Sequence, residues 1–277
     1  MTPRVALTIA GSDSGGGVGI QTDLVTFAAL GVHGTSALTA LTAQNTQTVA
    51  AVHVPPVDFL RAQLDAVLDD LPVAAVKTGM LATEPVIRAV GNYAAAGRLP
   101  NLVVDPVLVS STGARLLDAG AEEAYVEALF PHALVITPNT REVAALLGRP
   151  VDSIDDAAVA AVELGKSGPA WVVIKGGHLR GAGAGDDAVD VVVETATHDV
   201  TILRSPRIET RNDHGTGCTF AAATAALLAH GTPVLDALRR AKEFVHAGLV
   251  ASADWQLGAG HGPGSKLAAG PHRTTVL

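Results

Sequence analysis

Cysteine is nearly absent from this sequence. Cys218 is the one thiol in 277 residues, so no intrachain disulfide can form. Such sparing use suits a reducing compartment, and a cytoplasmic protein is expected. Long apolar runs are missing too. None reaches membrane-spanning length without a charge, glycine or proline, and the opening MTPRVALTIAGSD is too short an apolar stretch for a signal peptide. No cluster of Lys and Arg stands out, and the formal net charge is −8. A nucleic-acid partner is therefore not expected, because phosphates need a basic face. One cysteine and scattered histidines without ligand spacing cannot build a zinc site. The GxxxxGK[ST] loop is absent: Gly165-Lys166-Ser167 imitates its end, but Ala160 stands where its first glycine is required. Gly11–Gly19 has no GxGxxG register, and there is no GxSxG elbow.

What the chain has in quantity is aliphatic residues. It is 48% hydrophobic with only 3% aromatic and 17% charged residues, the composition of short buried strands covered by Ala/Leu-rich helices. Val5–Ala10 reads as a first strand, followed by the glycine-rich loop Gly11–Gly19 and a helix carrying Ile20, Leu24, Phe27 and Leu30. Strands are expected at Thr35–Leu41 and Thr48–His53. Leu60, Leu64, Val67, Leu68 and Leu71 then form a helical stripe. From Ala74 the strand–loop–helix alternation is regular. Strands are expected at Ala74–Lys77, Leu102–Val104, Leu134–Ile136 and Trp171–Ile174, with helices over Glu84–Ala96, Ala121–Leu129, Arg141–Leu147 and Ala157–Ser167. Asp190–Glu194 and Val200–Leu203 read as a hairpin after an exposed loop, Gly181–Asp187. Helices return at Thr219–Ala229 and Leu235–Ala253, and the Gly/Pro-rich tail after Gly258 is expected to end loosely. The pattern predicts one α/β domain over residues 1–277 with a mainly parallel sheet and helices on both faces.

In such a sheet ligands bind beyond the carboxyl ends of the strands. Asp13, Lys77, Asp105, Asn139 and Lys175 stand at those ends. The strongest local signal is Asn212-Asp213-His214-Gly215-Thr216-Gly217-Cys218-Thr219, directly before an Ala-rich helix. Its glycines let the backbone turn and present N–H groups, and the helix start adds its own unpaired amides. That is an anion hole for a phosphoryl group, or else a glycine loop with a Thr cap. Cys218 at this helix start is expected to have a lowered pKa and to accept a proton from an attacking alcohol. Lys175 can meet nucleotide phosphates. Asn139 and Glu142 can hold a hydrated magnesium ion or form an Asn-x-x-Glu helix cap, and Asp105 can add a carboxylate or simply make a turn.

The ordered motifs resemble the hydroxymethylpyrimidine/phosphomethylpyrimidine kinases of thiamine biosynthesis. They are Ala6–Asp13 with Gly16–Asp23, Thr39–Thr46, Lys77–Leu81, Asp105–Val107, Thr137–Glu142, Lys175–His178 and His214–Thr219. The resemblance covers Val5 to about Pro263 and implies a ribokinase-like three-layer α/β/α sandwich, commonly a homodimer. It implies that ATP and Mg²⁺ serve the reaction and that a hydroxymethylpyrimidine is phosphorylated twice. By that resemblance Gln44 reads the pyrimidine edge, with Gly11, Asp23, Met80 and Val107 lining its pocket. Asp105, Asn139, Glu142, Lys175 and Gly217 serve the nucleotide, with Asp105 and Glu142 on magnesium, directly or through water. Gly215, Thr216 and Gly217 form the anion hole, and Lys175 and Cys218 act in catalysis. Two departures stand out. Asp213 replaces a neutral residue and could raise the thiol pKa or act as a base, and Ser110-Ser111 stands where relatives carry Ala-Lys. Other readings of the same layout are a pyridoxal-type kinase, an ADP-dependent dehydratase, and a catalytically silent ligand-binding protein, which the intact Gly215–Cys218 turn opposes; Gly11–Asp23 and Thr39–Thr46 argue against a hydroxyethylthiazole kinase.

Overall fold

A computed structural model describes residues 2–108, 120–177, 179 and 185–267. Nine strands form one sheet in the order β3-β2-β1-β4-β5-β6-β7-β8-β9. They are β1 (Arg4–Asp13), β2 (Val32–Gln44), β3 (Val49–His53), β4 (Val73–Thr78), β5 (Leu102–Val104), β6 (Val135–Ile136), β7 (Trp171–Gly176), β8 (Asp187–Glu194) and β9 (Val200–Pro206). The six strands from β2 to β7 are mutually parallel, while β3, β8 and β9 add antiparallel edges.

Strand residues alternate between two cores, as the period of two requires. Leu7, Ile9, Val76, Ile136, Val172 and Ile174 face one side, against α2 (Val57–Leu68), α3 (Glu84–Ala95), α5 (Thr140–Leu147) and α6 (Ile154–Gly165). Ala6, Ala75, Val103, Val135 and Val173 face the other, against α1 (Gly19–Ala29), α7 (Thr216–Ala229) and α8 (Val234–Ser252). Helix α7 is buried along nearly its whole length from Thr219 on, so small side chains suit it: six of its residues are alanines squeezed between α1, α8 and the sheet.

Two expectations change. The helix foreseen over Ala121–Leu129 is a single α-turn, α4 (Glu122–Ala124), which continues as a π-turn over Tyr125–Leu129 and a 3₁₀ turn over Phe130–His132. The deeply buried Tyr125, whose hydroxyl reaches the Gly79 carbonyl at 3.4 Å, and the following Pro131 account for the irregularity. The tail is not loose up to Leu267. Gly260 donates its N–H to Thr46 Oγ1 at 3.1 Å, Gly262 to Arg211 O at 2.9 Å, and Ser265 to Ser252 Oγ at 3.1 Å. Its glycines serve close approach: a Cβ on Gly260 would run into the Thr46 carbonyl, and one on Gly262 into the Asn212 amide. The loop residues 180–184, Ser110 and Ser111 lie outside the described residues.

Gly91 sits where α3 crosses the π-turn. A Cβ there would lie 2.7 Å from the Ala128 carbonyl oxygen and 2.8 Å from the Ala128 Cβ. Gly91→Ala gains about 1 kcal/mol of helix propensity but meets an overpacking cost of about 1–3 kcal/mol. The clash is with backbone, so the cost prevails. Urea unfolding is expected to show Gly91→Ala less stable than the parent by about 1–2 kcal/mol.

Candidate active site

The carboxyl ends of the parallel strands open into one cavity of about 670 Å³. Sheet order spreads its lining in sequence-distant steps: Gln44 at the end of β2, Gly11 in β1, Met80 after β4, Asp105 and Val107 after β5, Asn139 and Glu142 after β6, and Lys175 in β7. The Gly215–Cys218 bend completes the wall. The structure thus brings together Gly11, Gln44, Met80, Val107, Asp105, Asn139, Glu142, Lys175, Gly215, Thr216, Gly217 and Cys218.

Asp23 is the exception. It is fully buried beneath the cavity and does not line it. Its carboxylate accepts from Lys77 Nζ at 2.8 and 3.0 Å and from Thr8 Oγ1 at 2.6 Å. Lys77, which lines the cavity, is fully buried as well. Burial pushes the Asp23 carboxyl up, and Lys77 and Thr8 draw it back. Burial would lower the Lys77 pKa, but Asp23, Cys218 and Asp105 together outweigh it, so Lys77 is held above its ordinary value. Asp23 therefore serves Lys77, and Lys77 in turn acts on the thiol.

The bend shows why its glycines are needed. Gly215 has φ +86°, a left-handed conformation, and a Cβ there would collide with the Gly17 carbonyl. A Cβ on Gly217 would lie 3.1 Å from Lys175 Nζ. Thr216 donates its amide to Asp213 O at 3.3 Å, and Thr219 donates to Gly215 O at 2.8 Å. Among the described backbone groups this leaves the Gly215, Gly217 and Cys218 amides as donors at the helix start.

The thiol also departs from expectation. Burial pushes Cys218 up, not down; Lys77 and the Gly19 N–H pull the other way without prevailing. At rest Cys218 is a protonated thiol. Asp213 turns elsewhere and pairs with His261 at 2.8 Å on the cavity wall.

Lys175 donates to Asp105 Oδ1 at 2.6 Å, and Thr137 Oγ1 donates to the same oxygen at 3.0 Å. Burial would lower the Lys175 pKa, but Asp105 and Glu142 more than offset it, so the side chain stays an ammonium. Asn139 and Glu142 form the helix cap: Asn139 Oδ1 accepts from the Arg141 and Glu142 amides, and Glu142 Oε2 accepts from the Asn139 amide at 2.7 Å. The cap and the cavity wall are the same two residues. Burial, together with Asp105, pushes the Glu142 carboxyl up to about 8, against the pull of Lys175.

Comparison with known proteins matches this layout. A family model described as phosphomethylpyrimidine kinase matches residues 13–265. The chain belongs to the phosphomethylpyrimidine kinase family. The hydroxymethylpyrimidine/phosphomethylpyrimidine kinase of Rhizobium meliloti is 47% identical over 94% of this chain and 95% of its own. The pyridoxal kinase of Bacillus subtilis, solved as an ADP complex, superposes with a TM-score of 0.86 at 37% identity, covering 96% of this chain and 98% of that one. The phosphomethylpyrimidine kinase of Clostridium difficile gives 0.76 at 36% identity, covering 88% and 98%. Among the described residues no helix is long and apolar enough to cross a membrane.

The cavity has a further compartment that sequence reasoning missed. Ala188, Ser205 and Ile208 from the hairpin and Val245 and Leu249 from α8 line it, beside the buried pair Lys242–Asp190 at 2.7 Å. Asp190 Oδ1 accepts the Gly176 amide at 3.0 Å, which anchors the end of β7 and hence Lys175. Small aliphatic residues on three separate elements leave no motif to find. Only a carboxylate in an otherwise apolar strand, Asp190, stands out.

The Lys77–Asp23 pair gives a test. Removing one partner of a buried pair leaves the other charged and unpaired, at about 3–5 kcal/mol. Lys77→Met is expected to lose stability on that scale in urea unfolding, and Lys77→Met/Asp23→Leu to regain much of it.

Proposed function

We propose that this protein transfers the γ-phosphoryl group of ATP to the hydroxymethyl group of 4-amino-5-hydroxymethyl-2-methylpyrimidine, and then to the phosphate of the product. The observation that carries the reading is the joining of Gln44, Met80 and Val107 to Lys175, Gly217 and Cys218 in one cavity. The first group gives a flat, partly apolar slot with an amide that can donate and accept. The second gives cations and backbone amides where a migrating phosphoryl group develops charge. The hairpin and α8 compartment suits the nucleoside end.

The residues divide the work. Gln44 orients the ring so that its CH₂OH faces Cys218. Lys175, tied to Asp105, meets the phosphates, and the Gly217 and Cys218 amides neutralise charge on the moving group. Cys218 first gives up its own proton to solvent, and the thiolate so formed takes the hydroxyl proton as the oxygen attacks phosphorus. Its burial keeps it protonated at rest, so Lys77 and the Gly19 amide favour the charged form that the reaction needs. Asp105 and Glu142 are oxygen donors on the same wall, a set that suits Mg²⁺. Bound between them and the phosphates, directly or through water, the ion would neutralise phosphate charge. We place the protein in the cytoplasm, as its cysteine usage suggests.

The likeness to pyridoxal kinases favours pyridoxal as a second substrate, because its ring also carries a CH₂OH. Supplied with hydroxymethylpyrimidine and Mg·ATP, the protein is expected to yield mono- and diphosphate, read by mass. Greater turnover of pyridoxal under the same conditions would reverse the assignment. Cys218→Ala is expected to keep ligand binding and to lose about a hundredfold or more in kcat. With the resting thiol pKa raised, kcat/KM of the parent rises with pH by about tenfold per unit until the thiol titrates. A parent-like profile in Cys218→Ala would remove the thiol from the mechanism.

We also propose a homodimer. Val49–His53 at the sheet edge is largely exposed, and Leu41, Val52 and Phe59 leave apolar surface beside it. A bare apolar edge of this kind is ordinarily covered. Sedimentation is expected to give the mass of two chains, and Val52→Glu that of one. A parent of single-chain mass would refute the dimer.

A further inference from the structure

The tail strap carries a buried cation that the proposed reaction does not yet use. Lys266 stands one residue beyond the segment matched by the family model. It is 8% exposed. Its Nζ donates to the Gly17 carbonyl at 3.3 Å and lies 3.5 Å from where a Cβ of Gly215 would stand. The three lysines that line the cavity each have a carboxylate: Lys77 has Asp23, Lys175 has Asp105, and Lys242 has Asp190. Among the described residues none forms a salt bridge with Lys266. A buried ammonium without a counter-charge is costly and persists where something offsets it.

The negative groups that face Lys266 are Cys218 on α7, Asp13 at the end of β1 and Asp23 on α1. Asp23 is committed to Lys77, and Asp13 accepts the amides of Gly15, Gly17 and Val18 at 2.8, 2.8 and 3.0 Å. Of the three, Cys218 can take up a charge that it does not hold at rest. Around Cys218 itself stand Lys77, Asp23, Asp105, Lys175 and Lys266. Burial works against the charged form of Lys266 and of Cys218 alike, so each charge relieves the other. The geometry is built rather than incidental. The strap is stitched to the bend by His214 N to Gly262 O at 3.1 Å and Gly264 N to His214 O at 3.3 Å. It lies against α8 at Gly248, where a Cβ would strike the Ser265 carbonyl. Gly17 is held at both ends, its N–H by Asp13 and its carbonyl by Thr22 Oγ1 at 2.7 Å and by Lys266.

We propose that Lys266 is a positioning residue for the proton-transfer corner: its ammonium fixes the Gly17 carbonyl beside the 215–218 bend and favours the thiolate of Cys218. The proposal rests on the kinase reading for its effect on turnover but not for its effect on the thiol. Cys218 is the one cysteine, so its alkylation by iodoacetamide reads the thiolate alone. In Lys266→Met the midpoint of alkylation rate against pH should move up. The kcat for hydroxymethylpyrimidine should fall at least about tenfold, the scale of one nearby charge, with the KM for ATP little changed. Lys266→Arg should restore both. An unmoved alkylation midpoint in Lys266→Met overturns the proposal, as does Lys266→Arg behaving like Lys266→Met, since packing alone would then explain the loss. If Lys266→Met does not fold, Lys266→Gln is read against the same outcomes. A parent that alkylates as expected but phosphorylates no pyrimidine would sink the kinase reading and leave the thiol effect standing.

Discussion

The structure depends on keeping positive charge inside an apolar sheet end. Lys77 and Lys175 rise from the ends of two strands, β4 and β7, that are otherwise mostly Val, Ala and Ile. Each would be intolerable there alone. Asp23 answers Lys77 from α1, and Asp105 answers Lys175 from the end of β5, at 2.8 and 2.6 Å. The carboxylates make the lysines affordable in the resting protein, and the lysines make the cleft receptive to phosphate. The two pairs are not equivalent. Lys77–Asp23 is sealed, while Lys175 is 15% exposed and stands on the wall where an incoming phosphate could compete with Asp105.

That arrangement constrains the backbone around it. The Gly17 carbonyl and the Gly215 bend touch where no side chain would fit, and Gly217 leaves room for Lys175 Nζ. The N-terminal loop, the bend and the tail strap are far apart in sequence, yet they meet within one hydrogen-bonded junction around Gly17 and His214. Glycines here serve contact more than flexibility. The same holds for the tail, where Gly260 and Gly262 lie against Thr46 and Asn212.

These contrasts explain what could be read in the sequence. The layer order was legible because apolar periodicity is local: β5 has the expected bounds, and the stripe from Leu60 marks α2, although Leu71 falls beyond its end. The cluster of site residues was legible because motifs fall at strand ends. What was hidden is long-range. No local pattern says that Asp23 points beneath the cavity at a lysine 54 residues away. Nor does Gly/Pro composition distinguish a loose tail from one that must approach closely. The π-turn at Tyr125–Leu129 keeps a helical pattern while changing the hydrogen bonds, so periodicity cannot reveal it. The thiol pKa was misjudged because position at a helix start was weighed without burial.

That last point bears on why a thiol suits this place. Asp23 and Asp105 already put two carboxylates near the bend, and both disfavour a further negative charge on Cys218. A resident carboxylate at residue 218 would add a third anion to a site that must admit the phosphates of a nucleotide. A thiol that keeps its proton adds none. In the proposed reaction the thiol first loses its own proton to solvent; cations close by favour that loss, and the thiolate then takes the proton of the hydroxyl as its oxygen bonds to phosphorus. Lys77 and Lys266 both interact with the sulfur electrostatically, one paired with its own carboxylate and one not. The arrangement thus favours a site that carries no extra anion at residue 218 when empty and gains a proton acceptor only once the thiol has lost its own proton.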